Sequence, residues 1–149
     1  MSKTIGKLRE YETVLIINPD LTDDVANELI ERFKGIIDAK GGTFLREDRW
    51  GKRKMAYDMR KNPRGHYVLL HYVGEKAVVD EIQRTSRNVD TVIRNHTTLH
   101  GPVKDIEAKK AEVEKLIRER NAEKARQEAA RAEAEAAERA EAEAEAPQA

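Results

Sequence analysis

The chain has 149 residues, with 28 lysines and arginines, 28 aspartates and glutamates, and no cysteine. This length allows one domain of ordinary size with an extension, and the lack of cysteine excludes disulfides, a thiolate nucleophile and cysteine-bound metal. The N-terminal region has an unbroken apolar run of only four residues, Val14 to Ile17. A signal-peptide core needs roughly 7–15 apolar residues and a membrane span about 20, so we expect a soluble, cytoplasmic protein.

The net charge of zero conceals a separation of charge along the chain. Residues 46–64 carry eight basic and three acidic side chains, whereas residues 127–149 carry two basic side chains and seven glutamates. The first segment is therefore locally positive and the second locally negative. A polyanionic partner is not excluded by the total.

The first half of the chain predicts a strand, a helix and a long second strand. At the centre of residues 11–19, the side chains that would point to either face of a strand are apolar. This pattern is typical of a central strand that is covered on both faces. Residues 21–42 predict a helix that Thr22 caps and Gly41 ends. Its apolar stripe contains Val25, Leu29, Phe33, Ile36 and Ile37. Residues 43–59 predict a strand that is interrupted near Gly51.

The second half completes a recognisable order of elements. Residues 61–65 predict a turn, 66–73 a third strand, 75–88 a helix with Val78, Val79 and Ile82 facing inward, and 90–99 a fourth strand. The order β-α-β-β-α-β predicts an α+β, ferredoxin-like fold with two helices on one face of a four-stranded antiparallel sheet.

The opposite face of this predicted sheet has no helix within the domain. Because the first and third strands are apolar on both sides, we expect that face to expose Val, Leu and Tyr to water. We favour a bound partner there over cover by a loop or by the C-terminal segment. Residues 1–8 are then an N-terminal arm, residues 9–101 the folded domain, and residues 102–149 a charged, Ala/Glu-rich extension.

The extension lacks the side chains that build a core. No large apolar residue follows Ile117, and alanine, glutamate, lysine and arginine favour helix. We expect a partly formed, solvated helix near residues 104–120 that frays into disorder. No heptad is sustained, so a coiled coil is unsupported.

Few residues are candidates for catalysis or metal binding. Neither Ser2 nor Ser86 lies in a nucleophile motif, and the acidic pair Asp23–Asp24 suits a helix start. On a strand, His96 and His100 would stand about 13 Å apart, beyond joint ligation. The other two histidines, at positions 66 and 71, have opposite parity and point to opposite faces. We expect no enzyme, no metal, no cofactor and no small-molecule substrate.

The basic segment favours binding of structured RNA. Lys52 and Lys54 share one side of the second strand, and Met55, Tyr57 and Met59 share the other, which we expect to be buried. The cations that we expect to face phosphates are Lys52, Arg53, Lys54, Arg60, Lys61 and Arg64, with Tyr11, Tyr57 and Tyr67 as neighbouring aromatic surfaces. The alternatives are a solvated edge strand that lysines protect from aggregation, or a module that forms a homodimer through its uncovered sheet.

One common RNA-binding motif does not fit. The RNA recognition motif carries stacking aromatics after a basic residue and glycine in its third strand. Arg64 and Gly65 begin that pattern, but His66, Val68 and His71 stand where the aromatics belong. Stacking of single-stranded bases on the sheet in that manner is therefore disfavoured.

Three stretches together resemble the family of the bacterial small-subunit ribosomal protein S6. They are YETVLIINPDL, GKRKMAY and NPRGHYVLLHY, and the resemblance runs from about residue 9 to residue 101. It implies a ferredoxin-like protein that binds the central domain of small-subunit rRNA as a heterodimer with ribosomal protein S18, without catalysis. It also implies roles for Arg9, Tyr11, Arg53, Tyr57 and Gly65, which match its motifs. A sixth residue, Arg94, falls near the family's basic positions in the fourth strand.

Overall fold

The structure, a computed structural model, describes residues 7–147, so most of the predicted N-terminal arm lies outside the described residues. The elements are β1 (Arg9–Ile17), α1 (Asp23–Ala39), β2 (Thr43–Met59), β3 (Asn62–Gly74), α2 (Lys76–Asn88), β4 (Val92–Pro102) and α3 (Ile106–Glu145). The four strands form one antiparallel sheet in the order β2-β3-β1-β4. This is the predicted ferredoxin-like arrangement, with β1 at the centre. The chain divides into two compact units, one ending at Lys109 and the other beginning at Lys110.

The hydrophobic core lies between one face of the sheet and the helices α1 and α2. Leu15 and Ile17 of β1 are fully buried together with Phe33 of α1 and Ile82 of α2. We call this side of the sheet the helix-covered face. It also holds Tyr72, whose hydroxyl lies 2.8 Å from the Thr13 hydroxyl, and burial raises the pKa of this tyrosine to about 12.

The first helix begins and ends as its sequence predicts, but its buried stripe is rotated. The Thr22 hydroxyl accepts a hydrogen bond from the backbone N–H of Val25 at 3.4 Å, and Gly41 adopts a φ of +76° after the last turn. The prediction that Val25 faces the core is wrong, because 42% of this residue is exposed. Ile30, which the predicted stripe omits, is fully buried instead.

The turn between β2 and β3 lies earlier than predicted. Met59 pairs with Asn62, so the two turn residues are Arg60 and Lys61, with φ of 47° and 64°. Positive φ at both positions is the geometry of a type I′ hairpin turn, which usually takes Asn-Gly. Pro63 and the residues after it suggested a turn at 61–65, but they belong to β3.

The long C-terminal helix also differs from its prediction. The prediction of a short helix fraying near residue 120 is wrong, because α3 continues to Glu145. No glycine or proline occurs between Ile106 and Ala146, and once a helix is nucleated each further residue of high propensity extends it. Within residues 7–147, no helix is both long enough and apolar enough to cross a membrane.

The sheet face opposite the helices is less exposed than predicted. Ile16, Met55, Leu69 and Val73 lie on or against this face, and each is 9% exposed or less. The prediction that apolar residues of β1 and β3 are open to water is therefore largely wrong. Part of the cover comes from β2 itself, since Met55 and Ile16 both lie close to Gly65.

Candidate nucleic-acid interface

The ends of β2 and β3 extend beyond the rest of the sheet. β1 pairs with β3 only from His66 onward, whereas β2 pairs with β3 as far as the turn. Residues 52–65 therefore form a two-stranded projection, which we call the hairpin arm. It contains all six of the cations that the sequence predicts to face phosphates.

The two sides of the hairpin arm carry different chemistry. Lys52 pairs with His66 and Lys54 with Arg64, and His66 is opposite the core residue Ile17. Residues directly opposite each other in an antiparallel pair point to the same side. Lys52, Lys54 and Arg64 thus share the side that continues the helix-covered face, and we call it the basic side.

The other side of the hairpin arm carries Arg53, Met55 and Tyr57. We expected Met55 and Tyr57 both to be buried. Met55 is 5% exposed, but the prediction is wrong for Tyr57, which is 61% exposed. No helix covers the arm, so the alternation of its side chains does not separate a core from solvent.

The basic side places like charges directly opposite one another. Side chains paired in this way have Cβ atoms about 4.5–5.5 Å apart, and like charges at that separation are destabilising. Among residues 7–147, no carboxylate lies within ion-pair distance of Lys52, Lys54 or Arg64. Burial and then the charges of Arg49 and Lys52 lower the pKa of His66, although Asp23 opposes them. The local potential is therefore positive and is not neutralised within this part of the chain.

Two of the eight bases in the segment are offset by neighbouring carboxylates. Arg46 forms ion pairs with Glu12 and Asp48, and Arg49 forms one with Glu47. Burial favours a raised pKa for Glu47, but Lys34 and Arg49 outweigh it and lower the pKa. The excess charge counted from the sequence is thus concentrated in the hairpin arm.

The tip of the arm is attached to the remainder of the domain. The Arg60 guanidinium donates a hydrogen bond to the backbone carbonyl of Asp90 at 2.9 Å. Asp90 lies in the loop between α2 and β4. Lys61, also exposed, has no ion-pair partner in the described part of the chain.

A β-bulge reorients the aromatic residue that precedes the arm. The pairing of β2 with β3 shifts between Arg49 and Gly51, and Gly51 has a φ of +77°. The Trp50 ring stacks on Tyr67, with centroids 6.1 Å apart and an interplanar angle of 17°. The Arg53 guanidinium lies over the Trp50 ring at 5.4 Å from its centroid. Trp50 is not among the residues that the sequence predicts for the site; its place beside Gly51 in a basic run was the available signal.

The predicted aromatic and arginine residues fall into two groups. Tyr57 and Arg94 come together, with the guanidinium 3.3 Å from the tyrosine hydroxyl. Arg9 and Tyr11 lie at the opposite end of β1, where Arg9 pairs with Gly74. The ring of Tyr11 is buried, so the expectation that it offers an aromatic surface to RNA is wrong.

A second polar cluster lies on the face opposite the helices, around His71, which is 4% exposed. Its Nε2 lies 2.6 Å from the Glu10 carboxylate, and its Nδ1 accepts a hydrogen bond from Arg46 at 3.2 Å. Because Nδ1 accepts a hydrogen bond from Arg46, it carries no proton, and Nε2–H donates to Glu10. Burial lowers the pKa of His71 even though Glu10 opposes the shift. Burial favours a raised pKa for Glu10, but hydrogen bonds from Lys109 and His71 outweigh it and lower the pKa.

Two histidines approach each other in this cluster. The ring centroids of His71 and His100 lie 6.2 Å apart, edge to face. The two residues are on different strands, so the alternation within either strand could not predict this contact. The Nε2 of His100 lies 3.2 Å from the Glu12 carboxylate. Across residues 7–147, no group of three or more His, Cys, Asp or Glu side chains is placed to hold a metal ion.

A shallow groove of about 360 Å³ lies on the same face, beside the hairpin arm. Its apolar lining includes Val14, Ile16, Met55 and Tyr67, and Arg94 lies at its margin. It is an open part of the predicted partner face.

Comparisons with known proteins agree on one family. The family described as Ribosomal protein S6 matches residues 10–98. The small ribosomal subunit protein bS6 of Desulforapulum autotrophicum is 43% identical over 107 residues, covering 72% of this chain and 69% of the relative. The bS6 protein of Clostridium botulinum is 42% identical over 88 residues, covering 59% of this chain and 94% of the relative.

A solved structure gives the same answer. The crystal structure of 30S ribosomal protein S6 from Thermotoga maritima superposes with a TM-score of 0.59 at 28% identity, covering 72% of this chain and 99% of that chain. The chain therefore belongs to the ribosomal protein S6 family, a family of structural, non-enzymatic proteins of the small ribosomal subunit.

Proposed function

We propose that this protein binds the central domain of small-subunit rRNA together with ribosomal protein S18. Residues 9–101 form the binding domain, and residues 102–149 are an extension outside it. The contact residues are those of the hairpin arm and its neighbours: Lys52, Arg53, Lys54, Tyr57, Arg60, Lys61, Arg64, Tyr67 and Arg94. Arg9, at the other end of β1, makes a separate contact.

The observation that supports this proposal is the unpaired, like-charged basic side of the hairpin arm. A β-ladder holds Lys52, Lys54 and Arg64 in a fixed register, and the described residues supply no carboxylates to neutralise them. Each phosphate that such a cation neutralises releases condensed counterions into solution, which favours binding. Phosphate contacts of this kind fix the position of RNA and carry little sequence information.

The groove on the opposite face is the proposed contact for ribosomal protein S18. Its lining includes apolar side chains such as Val14 and Met55 and the exposed ring of Tyr57. A partner that covers these side chains removes apolar area from water, and each Å² that is removed favours binding by roughly 25 cal/mol. The basic side and the groove point to different sides of the arm, so phosphates can bind Lys52, Lys54 and Arg64 while a protein neighbour covers the groove. Tyr57, Tyr67 and Arg94 line the groove, and we place their RNA contacts at the border between the two partners.

The salt dependence of RNA binding tests the electrostatic part of the proposal. The Kd for a central-domain rRNA fragment is measured between 0.05 and about 0.5 M KCl with the S18 partner present, for the native chain and for Lys52→Ala/Lys54→Ala/Arg64→Ala. Each lost phosphate contact reduces the slope of log K against log salt by about one unit. We expect the triple variant to lose roughly two to three units.

A matched variant separates position from total charge. Arg32→Ala/Lys40→Ala/Arg87→Ala removes the same number of positive charges from exposed positions on or beside the helices. Its slope should stay near that of the native chain. Equal loss of slope in both variants would mean that only net charge matters, and no change in the first would refute the basic side as the phosphate contact.

A substitution in the groove tests the protein contact. Val14→Asp places a charge in the groove, whereas Thr98→Asp places the same charge at an exposed position of β4 outside the groove lining. We expect the first to weaken heterodimer formation with S18, measured by calorimetry without RNA, and the second to leave it near native. Far-UV circular dichroism checks that both chains fold.

A further inference from the structure

The bulge before the hairpin arm presents an aromatic ring in an unusual setting. Trp50 stacks on Tyr67 through one contact and lies under the Arg53 guanidinium through another, yet 40% of the residue remains exposed. A tryptophan that only stabilised the hairpin would gain most by burial. These two contacts therefore leave part of Trp50 accessible to a bound molecule.

The Arg53 guanidinium is fixed without being neutralised. Its Nε donates a hydrogen bond to the backbone carbonyl of Trp50 at 3.3 Å. Within the described chain no carboxylate forms an ion pair with it. Guanidinium has five N–H donors in one plane, so four remain available beside the Trp50 ring.

The stack and the basic side lie on opposite sides of β2. A nucleotide likewise has two parts that can bind separately, a base and a phosphate. Lys52, Arg53 and Lys54 are consecutive in β2, so the lysines point to one side of the strand and Arg53 to the other. β2 is an edge strand of the sheet. A single RNA strand along this edge can place its phosphates toward the lysines and one base toward Trp50.

We infer that Trp50, with Tyr67 and Arg53, forms a stacking site for one unpaired nucleobase of the bound RNA. Aromatic rings and guanidinium planes both accept unpaired bases by stacking, and every base has a π-face, so the site has little sequence preference. This differs from stacking on the third strand of an RNA recognition motif, because the ring comes from the bulge in β2. The inference rests on the proposed RNA binding.

The site makes a prediction that the phosphate contacts do not. Stacking is not electrostatic, so Trp50→Leu should weaken RNA binding without changing the slope of log K against log salt. The loss of stacking on one base corresponds to roughly a five- to hundredfold increase in Kd. Trp50→Phe keeps an aromatic ring and should lose less.

The experiment uses the full chain, S18 and the central-domain rRNA fragment. Trp50 is the only tryptophan in the chain, so 5-fluorotryptophan gives one ¹⁹F signal whatever the partners contain. We expect this signal to shift when RNA joins the heterodimer and to stay unchanged with S18 alone. Abasic substitutions at unpaired positions of the fragment should identify one nucleotide that binds Trp50. Removal of its base should weaken binding by the native chain but should not weaken binding by Trp50→Leu any further.

Each other outcome overturns the inference. A shift with S18 alone, accompanied by weaker heterodimer formation in Trp50→Leu, would make Trp50 a protein contact. Native affinity in both Trp50 variants, or no abasic position that couples to them, would leave the stack as a local support of the hairpin. If the native chain itself shows no salt-dependent RNA binding, the proposed function fails first, and that result is distinct. Urea unfolding of both variants identifies any loss of affinity that arises from misfolding.

Discussion

The pair Lys54–Arg64 makes a prediction in which stability and binding change in opposite directions. The two cations are directly opposite each other on exposed strands, without acidic partners among the described residues. Two unit charges about 6 Å apart in water repel by roughly 0.7 kcal/mol. Lys54→Glu replaces this repulsion by attraction, and the measured range for such cross-strand pairs is about 0.2–1 kcal/mol. We therefore expect Lys54→Glu to raise the free energy of unfolding by about 0.5–1 kcal/mol while it weakens RNA binding.

Urea unfolding at two salt concentrations tests the stability half of this prediction. The Debye length is about 30 Å at 0.01 M salt and 3 Å at 1 M. The gain should therefore be present at 0.01 M and largely absent at 1 M. Arg32→Glu makes the same change of net charge on α1, close to Glu28, and should give no gain. Stabilisation that persists at 1 M, or destabilisation at low salt, would refute the electrostatic account of the hairpin arm.

Three further substitutions test other parts of the structure. A Cβ at Gly65 would lie 2.4 Å from Cγ2 of Ile16, so Gly65→Ala should cost about 1–3 kcal/mol of stability in urea unfolding; an unchanged midpoint would contradict that contact. Because burial lowers the pKa of His71 below its unfolded value, the unfolded chain binds the proton first as pH falls. Stability should therefore decrease from about pH 6.5 downward, and His71→Gln should reduce this decrease in unfolding curves measured across that range. Lys61→Gly relieves a φ of 64° and should stabilise the turn by about 1 kcal/mol, while losing one cation for RNA.

Patterns within single elements predicted the fold well. The strand-helix-strand order, the cap at Thr22 and the stop at Gly41 all depend on residues that lie within a few positions of each other. The interruption near Gly51 was also predicted, and in the structure it is a β-bulge, which an isolated glycine in a strand often marks. These features follow from local backbone chemistry and need no knowledge of tertiary neighbours.

Features that depend on distant residues were harder to predict. Arg46 is neutralised partly by Glu12, which is 34 positions away in sequence. The burial of Tyr57 was predicted wrongly because the pairing of β2 with β3 is irregular between Lys54 and Met59, so regular alternation does not continue through residue 57. The turn at Arg60–Lys61 carries no glycine or asparagine, so the turn was predicted around Pro63 instead.

The hairpin arm combines several features that each cost stability. Its turn places Arg60 and Lys61 at positive φ. On its basic side, Lys54 lies directly opposite Arg64. Among the described residues, Arg53 has no carboxylate partner. Arg46, Arg49 and Arg84 elsewhere in the chain form ion pairs with carboxylates, whereas none of the six cations of the arm does so among the described residues. Local conflicts of this sort persist where the surrounding fold holds them in place and a function benefits from them. A polyanion removes the electrostatic conflicts together, because its phosphates supply the negative charge that the single carboxylate of the arm, Asp58, cannot supply to six cations.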